Sequence, residues 1–398
     1  MSGRMGLSIE RIEVLLLIAA IVSMIARRLR LPYTVGLLLA GVGVAFSPLP
    51  LEVTLTKELI FTAFLPPLIF DAAFQMPWKG LKKDLPVTLT LATLGVLLSA
   101  GLVTVGIHYL LHWSWASAAL LGVLISATDP VSVIATFKEA GVHGRLGLLV
   151  EAESLFNDGT AAVLFTVALA IVGGGQAISV GGVALSFLTT VFGGILCGAL
   201  VGGVLLLLAG KADDPLVEIT FTSVAAYGSF LLAEHFHLSG VLATLTAGVL
   251  LGNVGTLGAF TDAGHEKVLS FWEYVAFVAN SLIFLLIGMP LAHSNFGATW
   301  IAVLVVTLLV LLGRAVAVYG CSALFLRSAA LKVSPAHQHV LFWGGLRGAL
   351  ALALVLGLPS DLPLRAEMTT VAFGVVAFSI VVQGLTMTPL LRRLGEIE

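Results

Sequence analysis

Long apolar runs separated by short polar segments extend along the whole chain of 398 residues. A run of about 20 apolar residues is long enough to cross the hydrocarbon core of a bilayer as an α-helix. With charged residues, Gly and Pro taken as boundaries, the pattern predicts about 13 transmembrane helices, of which the second and ninth are short. Their approximate centres are residues 18, 40, 66, 98, 129, 159, 193, 224, 246, 278, 312, 348 and 379. The chain is therefore predicted to be an all-α polytopic membrane protein.

Composition supports this fold class and leaves little room for other elements. Hydrophobic residues make up 59% of the chain and charged residues 11%, whereas soluble domains carry about 25% charged residues. No polar stretch is long enough for a soluble domain, so residues 1–398 are predicted to form a single membrane domain without a soluble C-terminal regulatory domain. Cys197 and Cys321 lie in apolar runs and indicate neither disulfides nor a metal site.

The distribution of basic residues predicts the orientation of the chain. Fourteen of the 20 Lys and Arg residues follow odd-numbered spans, while Arg314 and Arg347 lie inside spans. Cytoplasmic loops of membrane proteins are enriched in Lys and Arg. The N-terminus is therefore predicted to lie outside and the C-terminus in the cytoplasm, in a multi-pass protein of the plasma (inner) membrane.

Short internal matches predict an inverted repeat. The segment LLLAGVGV in the second span resembles TLTAGVLL in the ninth, and LIFDAAFQMP in the third resembles LIFLLIGMP in the tenth. Each pair is seven spans apart, so the matching spans would run in opposite directions. The predicted units are a first six-helix repeat at about 8–172, a linking helix at about 178–208 and a second repeat at about 214–392. The fifth and twelfth spans, also seven apart, are interrupted by SATDPVSV and WGGLRGAL, and both are predicted to be discontinuous.

Asp129 and Pro130 predict the position of the break in the fifth span. Pro130 has no N–H to donate to the carbonyl of Ser126, crowds that carbonyl and moves Asp129 away from helical angles. Irregular backbone at membrane depth is tolerated where it is buried in protein or lines a cavity. The freed carbonyls of residues 126–128 are therefore candidate cation ligands, with a proline kink that has no function as the alternative.

The sixth span contains the segment EAESLFND, residues 151–158. Read as a helix, it places Ser154 and Asp158 on one face and Glu153 and Asn157 on a neighbouring face. Hard monovalent cations such as Na⁺ favour oxygen ligands of this kind, whereas the structural alternative is a buried ion-pair network. Arg347 is the predicted structural partner of Glu153. An alternative is that Arg347 binds an anionic substrate.

The motifs ATDP, ESLFNDG and GGLRGALALAL, with FLPPLIFDAAF in the third span, resemble those of the NhaP and animal Na⁺/H⁺ exchanger branch of the monovalent cation:proton antiporters. The resemblance extends from the first span to the last. It implies an antiporter fold with two discontinuous helices that cross at mid-membrane, a mobile core domain and a dimerisation domain. It also implies a homodimer and alternating access of the elevator type.

This resemblance implies the roles of individual residues. Asp158 binds the cation and the proton in turn, and Asn157 is its neutral partner. The other ligands of the implied Na⁺ site are Thr128, Asp129 and Ser154. Electrogenic relatives carry Asp in place of Asn157, so the chain resembles the electroneutral branch, which exchanges one cation for one proton. Cation and proton then compete for Asp158, and the core domain crosses only when its charge is neutralised.

Further charged residues inside spans have implied or predicted structural roles. By the resemblance, Glu153 and Arg347 brace the two core helices. Glu151 is an extra carboxylate that either lines a cytoplasmic funnel or snorkels at a helix end. Asp71 and Arg314 are predicted to be structural or to couple conformational changes.

The predicted function is secondary antiport of Na⁺ or Li⁺ against H⁺, with a role in pH homeostasis. A K⁺/H⁺ antiporter and a Na⁺-coupled organic-solute symporter of related fold are the alternatives, and the symporter would need a roomy polar cavity. An intramembrane aspartyl protease would need a Gly-x-Gly-Asp signature, which the sequence lacks, and a cation channel would need a continuous pore. We expect no enzymatic activity, cofactor, nucleotide or nucleic acid. The expected partners are membrane lipids and a second copy of the chain.

Overall fold

The fold is all-helical in the described residues, which confirms the predicted fold class. The computed structural model describes residues 9–29, 31–47, 55–129, 133–134, 137, 141–142, 144–172, 180–209, 214–254, 260–294 and 296–397. The described helices are α1 (Ile9–Leu29), α2 (Tyr33–Ala45), α3 (Leu59–Gln75), α4 (Trp78–Leu111), α5 (Trp115–Leu124), α6 (Arg145–Val172), α7 (Val180–Ala209), α8 (Pro215–His235), α9 (Gly240–Val254), α10 (Asp262–His293), α11 (Phe296–Ala323), α12 (Pro335–Trp343), α13 (Ala349–Leu356) and α14 (Arg365–Arg393).

The lengths of these helices agree with the apolar pattern. Seven of the described helices are long and apolar enough to cross a membrane. The second and ninth are short, as predicted, with 13 residues in α2 and 15 in α9. All predicted span centres except residues 129 and 348 fall inside described helices. The total of 13 spans stays a prediction.

Residues 129 and 348, the two predicted span centres outside the described helices, lie in non-helical backbone. α5 ends at Leu124, and the chain from Ile125 to Asp129 is not helical; Pro130 itself lies outside the described residues. α12 ends at Trp343 and α13 begins at Ala349, which confirms the predicted discontinuity of the twelfth span. The backbone N–H of Asp129 donates a hydrogen bond of 2.7 Å to the carbonyl of Leu346, so the two irregular segments meet.

The helices form two bundles. The first bundle contains α1–α3 and α7–α10, and the second contains α4–α6 and α11–α14, with fewer contacts between the bundles than within them. α2 and α10 cross closely in the first bundle because Gly41 faces Gly288, and a Cβ on either would collide with backbone of the other helix. Each predicted six-helix repeat therefore contributes to both bundles, and the repeat itself stays a prediction.

α13 lies where the two bundles meet. Its residues Ala349–Val355 are all buried, as expected for a helix that is apolar on every side. It contacts α3 of the first bundle and both α5 and α6 of the second. The start of α13 therefore faces the polar residues of α6.

Candidate cation site

α6 is a continuous helix through the polar segment of the sixth span. Glu153, Ser154, Asn157 and Asp158 are all buried, at exposures of 1%, 1%, 1% and 5%. The amide of Asn157 donates to Glu153 Oε1 at 3.3 Å, as the predicted i, i+4 relation requires. Burial of two neutral polar groups and two carboxylates is costly in a membrane protein unless they are bonded to partners or serve a function.

Thr128 links the broken fifth span to α6. Its hydroxyl donates to Ser154 Oγ at 3.1 Å and accepts from the Asn157 amide at 3.2 Å. The side-chain amide of Asn157 thus donates to both Thr128 and Glu153, and these two hydrogen bonds fix its position. The structure therefore brings together the four predicted oxygen-bearing residues Thr128, Ser154, Asn157 and Asp158.

A small cavity lies beside these residues. Thr128, Asp129 and Asp158 line its polar side, and α3 and the start of α13 form the rest of its wall. The cavity measures about 20 Å³, which is room for one water-sized species. Oδ1 of Asp158 is buried and has no hydrogen-bond partner among the described residues. An oxygen of this kind can accept a proton or coordinate a cation.

Asp129 approaches the N-terminus of α13. A Cβ on Gly348 would collide with the Asp129 carboxylate, so only glycine permits this approach. The N-terminal end of a helix carries partial positive charge, which stabilises a carboxylate there. The negative charges of Asp129 and Glu153 repel the ionised carboxylate of Asp158. Together with the hydroxyls of Thr128 and Ser154, Asp129 and Asp158 form the oxygen-rich set that could hold a Na⁺ or Li⁺ ion as substrate.

The predicted ion pair between Glu153 and Arg347 is wrong, because Glu153 pairs with Arg314 instead. Arg314 on α11 donates from Nη1 and Nη2 to the two oxygens of Glu153, both at 2.7 Å. Arg314 also donates to the carbonyl of Leu341 near the end of α12. Both side chains of the pair are buried, and the two-bond geometry suits a planar guanidinium. Arg314, predicted to have a structural or coupling role, therefore ties α6, α11 and α12 together.

Arg347 binds the end of α5 instead. Its Nη1 donates to the carbonyls of Ser126 and Ala127 at 2.6 and 3.0 Å, and its backbone N–H donates to Ser379 Oγ. These are two of the three carbonyls predicted as cation ligands, so the guanidinium already occupies them. A positive charge at this position also compensates the negative end of the α5 helix dipole. Because the twelfth span is broken, Arg347 lies in the non-helical segment before α13, where its side chain reaches these carbonyls.

A larger cavity lies at one end of the bundles. It measures about 540 Å³ and is lined by Gln75 at the end of α3 and by Glu151 and Arg145 near the start of α6. Glu151 precedes Asp158 by seven residues, or about 10 Å along the helix. Asp71 accepts a hydrogen bond from Gln75 at 2.8 Å and lies one turn beyond the cavity-lining Leu68. Glu151 therefore lines the larger cavity itself, and Asp71 lies on α3 between Gln75 of the larger cavity and Leu68 of the small one.

Two structural contacts were not predicted from the sequence. Ser379, in a π-helical turn of α14, accepts the backbone N–H of Arg347. Asp84 on α4 accepts from both Nε and Nη2 of Arg145, which also donates to the carbonyls of Leu331 and Lys332. Ser379 could have been singled out from the sequence, because it is a polar residue inside an apolar run. Asp84 gives no such signal, because it follows three nearby lysines in what reads as a loop.

Comparison with known proteins adds independent findings. The family described as sodium/hydrogen exchanger, transmembrane, matches residues 14–393. The Na⁺/H⁺ antiporter ApNhaP of Aphanothece halophytica is 39% identical over 92% of this chain and 70% of its own length. The Na⁺/H⁺ antiporter NhaH of Halobacillus dabanensis is 35% identical over 97% of this chain and 98% of its own. The solved structure of the sodium proton antiporter MjNhaP1 from Methanocaldococcus jannaschii matches 97% of this chain and 98% of its own with a TM-score of 0.78 at 21% identity, which supports the fold.

Proposed function

Because the chain belongs to the sodium/hydrogen exchanger family, we propose that it exchanges Na⁺ or Li⁺ for H⁺ across the membrane. Membership also makes the chain a multi-pass membrane transporter and not an enzyme. K⁺ in place of Na⁺ is the alternative choice of cation, since the oxygen ligands alone do not select between them.

The unpartnered Oδ1 of Asp158 is the observation that carries this proposal. Asp158 is buried at the wall of a cavity that admits one small ion or water. A carboxylate left charged and unpaired at the bilayer centre costs at least ~2.5–3.5 kcal/mol. Binding either a cation or a proton removes that cost, so the two ions compete for the same group.

The charges at the crossing favour exchange of one cation for one proton. Asp129, Glu153 and Asp158 supply three negative charges among the buried side chains there, and Arg314 and Arg347 supply two positive charges. One negative charge remains when all five are ionised, and a single monovalent cation or proton neutralises it. Asn157 adds no charge. Electroneutral exchange follows if the second bundle crosses the membrane only in its neutral form.

The size of the site disfavours the organic-solute symporter. A cavity of about 20 Å³ has no room for an organic molecule beside Asp158. We further propose alternating access in which the second bundle moves against the first, with the 540 Å³ cavity on the cytoplasmic side in this conformation. A homodimer, an outer N-terminus and a cytoplasmic C-terminus complete the proposal, in a plasma (inner) membrane.

The first test uses purified protein in proteoliposomes with a preset pH gradient. Addition of Na⁺ or Li⁺ is expected to dissipate the gradient for the wild type and not for Asp158→Asn. Glu266→Gln, an exposed carboxylate change on α10, is the matched control and retains exchange. If no monovalent cation dissipates the gradient, or if Asp158→Asn transports like the control, the proposed function is wrong.

Imposing a membrane potential with a K⁺ ionophore in the same vesicles tests the stoichiometry. Electroneutral exchange predicts the same initial rate at zero and at a negative imposed potential. A rate that follows the potential contradicts the one-for-one exchange while leaving antiport itself intact.

A further inference from the structure

A surface groove lies in the second bundle, between the last turns of α11 and α14 and the second half of α12. It measures about 430 Å³ and is lined by Tyr319, Phe342, Trp343, Leu390 and Arg393, with other residues of α12 and α14. Its lining residues are different from those of the candidate cation site. We call it the Arg393 groove.

Aromatic side chains with polar tips form much of this groove. The Tyr319 hydroxyl is 2.7 Å from Nδ1 of His339, and Trp343 Nε1 donates to Thr386 Oγ1 at 2.8 Å. The rings of Tyr319 and Phe342 are 5.8 Å apart. Aromatic residues of this type concentrate where a membrane protein passes from hydrocarbon to headgroups. The groove therefore has an apolar wall and a polar rim suited to the membrane interface.

Arg393 supplies the charge at the rim. Its side chain is exposed and makes no hydrogen bond or ion pair with the described residues. The nearby carboxylate of Glu396 is 3.5 Å from His337 Nε2. Arg327, Lys332 and Arg392 lie at the same end of the bundle, so the local field is positive. A positively charged cleft between membrane helices is suited to an anionic headgroup.

We propose that the Arg393 groove binds one anionic phospholipid of the surrounding membrane. The lipid phosphate bonds to Arg393, and an acyl chain lies along Phe342 and Leu390. A lipid is the occupant that combines an anionic group and an apolar chain, and the groove offers a partner for each. The bound lipid would join the end of α14 to α12, and this binding does not depend on which ions are transported.

Native mass spectrometry of the full chain in detergent tests this site, with phosphatidylglycerol as the probe. Wild type is expected to bind it, and Arg393→Gln to bind it about fivefold more weakly, the factor that corresponds to one lost basic contact at a membrane surface. Arg392→Gln, the neighbouring exposed arginine that does not line the groove, is the matched control and binds like the wild type. Arg393→Lys keeps the charge and is expected to retain most of the binding.

Four results would overturn the proposal. Equal binding by Arg393→Gln and Arg392→Gln places the lipid elsewhere. Equal binding of phosphatidylcholine and phosphatidylglycerol removes the role of lipid charge, and full competition by soluble glycerol phosphate removes the role of the acyl chain. Loss of binding in Arg393→Lys as severe as in Arg393→Gln contradicts a phosphate contact. The melting temperature of each variant without added lipid verifies that it is folded.

Discussion

Arg314 and Arg347 are both buried at the centre of the second bundle, yet they have different partners. Arg314 makes two hydrogen bonds to Glu153, whereas Arg347 donates to backbone carbonyls of residues 126 and 127. Removing one member of a buried ion pair leaves an uncompensated charge in a medium that solvates it poorly. The stability of the bundle should therefore depend on which arginine is removed and on whether Glu153 is present.

We predict a strong energetic coupling between Glu153 and Arg314. Arg314→Gln alone is expected to destabilise the protein by ~3–5 kcal/mol, and much of this loss should disappear when Glu153→Gln is added. A double-mutant cycle on thermal unfolding in detergent measures the coupling. The matched cycle of Glu153→Gln with Arg347→Gln should give a clearly smaller value. Equal coupling in the two cycles would contradict the assignment of the pair.

The hydrogen bonds of Asn157 lead to a second prediction about single residues. Asn157→Asp would replace the amide donor to Glu153 by a carboxylate, so two negative groups would face each other at about the present 3.3 Å. It would also remove the donor to Thr128. We expect a lower melting temperature and a lower exchange rate, both measured beside Asn157→Ser as the neutral control. Normal stability and exchange in Asn157→Asp would show that these two hydrogen bonds are unimportant.

The spacing of side chains along one helix could be predicted from the sequence, and their pairing between helices could not. The i, i+4 spacing on α6 placed Glu153 and Asn157 together, because a single helix fixes the distances between its own side chains. The partner of Glu153 depends on how α11 packs against α6. Arg314 and Arg347 are equivalent as intramembrane charges until that packing is known, so the sequence favoured the wrong one.

At the scale of elements, the two broken spans support each other at their crossing. The positive Arg347 lies at the carbonyl end of α5, and the negative Asp129 lies at the N–H end of α13. Each charge opposes the partial charge of the helix end beside it. The Asp129 to Leu346 hydrogen bond then fixes one irregular segment against the other. The candidate site thus depends on the exact backbone path of both segments.

A substitution at Gly348 tests the importance of this backbone path. In Gly348→Ala the added methyl group would overlap the Asp129 carboxylate, so Asp129 or the start of α13 must move. We expect the exchange rate to fall by about tenfold or more, because small displacements of a binding group have large effects. Gly101→Ala on α4 is the matched control, since a Cβ there meets no atom within 4 Å. Equal exchange rates in the two variants would contradict a close approach at Gly348.

The sequence predicted that both spans are interrupted, and the reason differs between them. The glycines of the twelfth span permit the break that follows α12. In the fifth span Pro130 predicted a break beside Asp129, but α5 already ends at Leu124. Arg347 donates to the carbonyls of residues 126 and 127, and that contact from a distant part of the chain cannot be read from the local sequence.

At the scale of the whole molecule, the candidate site lies between two bundles, and a larger cavity lies at one end of them. The larger cavity lies beside the end of α3 and the starts of α4 and α6, which carry Lys83 and Arg145, on the side predicted to be cytoplasmic. Such a position suits a transporter that presents its site to one side at a time. The basic-residue pattern predicts this orientation, and a labelling experiment can measure it.

Gly147 offers a label position within the larger cavity. The atom nearest to a Cβ there is the carbonyl oxygen of Val142, at 4.0 Å, so Gly147→Cys should fold in a background with Cys197 and Cys321 replaced by Ser. A membrane-impermeant maleimide is expected to label it in inside-out vesicles and not in right-side-out vesicles. The opposite preference would reverse the proposed orientation of the chain.

The most direct test of competition at Asp158 is the apparent KM for Na⁺ measured over a series of pH values in proteoliposomes. If a proton and Na⁺ exclude each other from one carboxylate, lower pH should raise KM by up to about tenfold per pH unit while the maximal rate at saturating Na⁺ stays constant. Asp158→Asn should show no exchange at any pH. A KM that does not change with pH, with a maximal rate that does, would contradict competition for a single group.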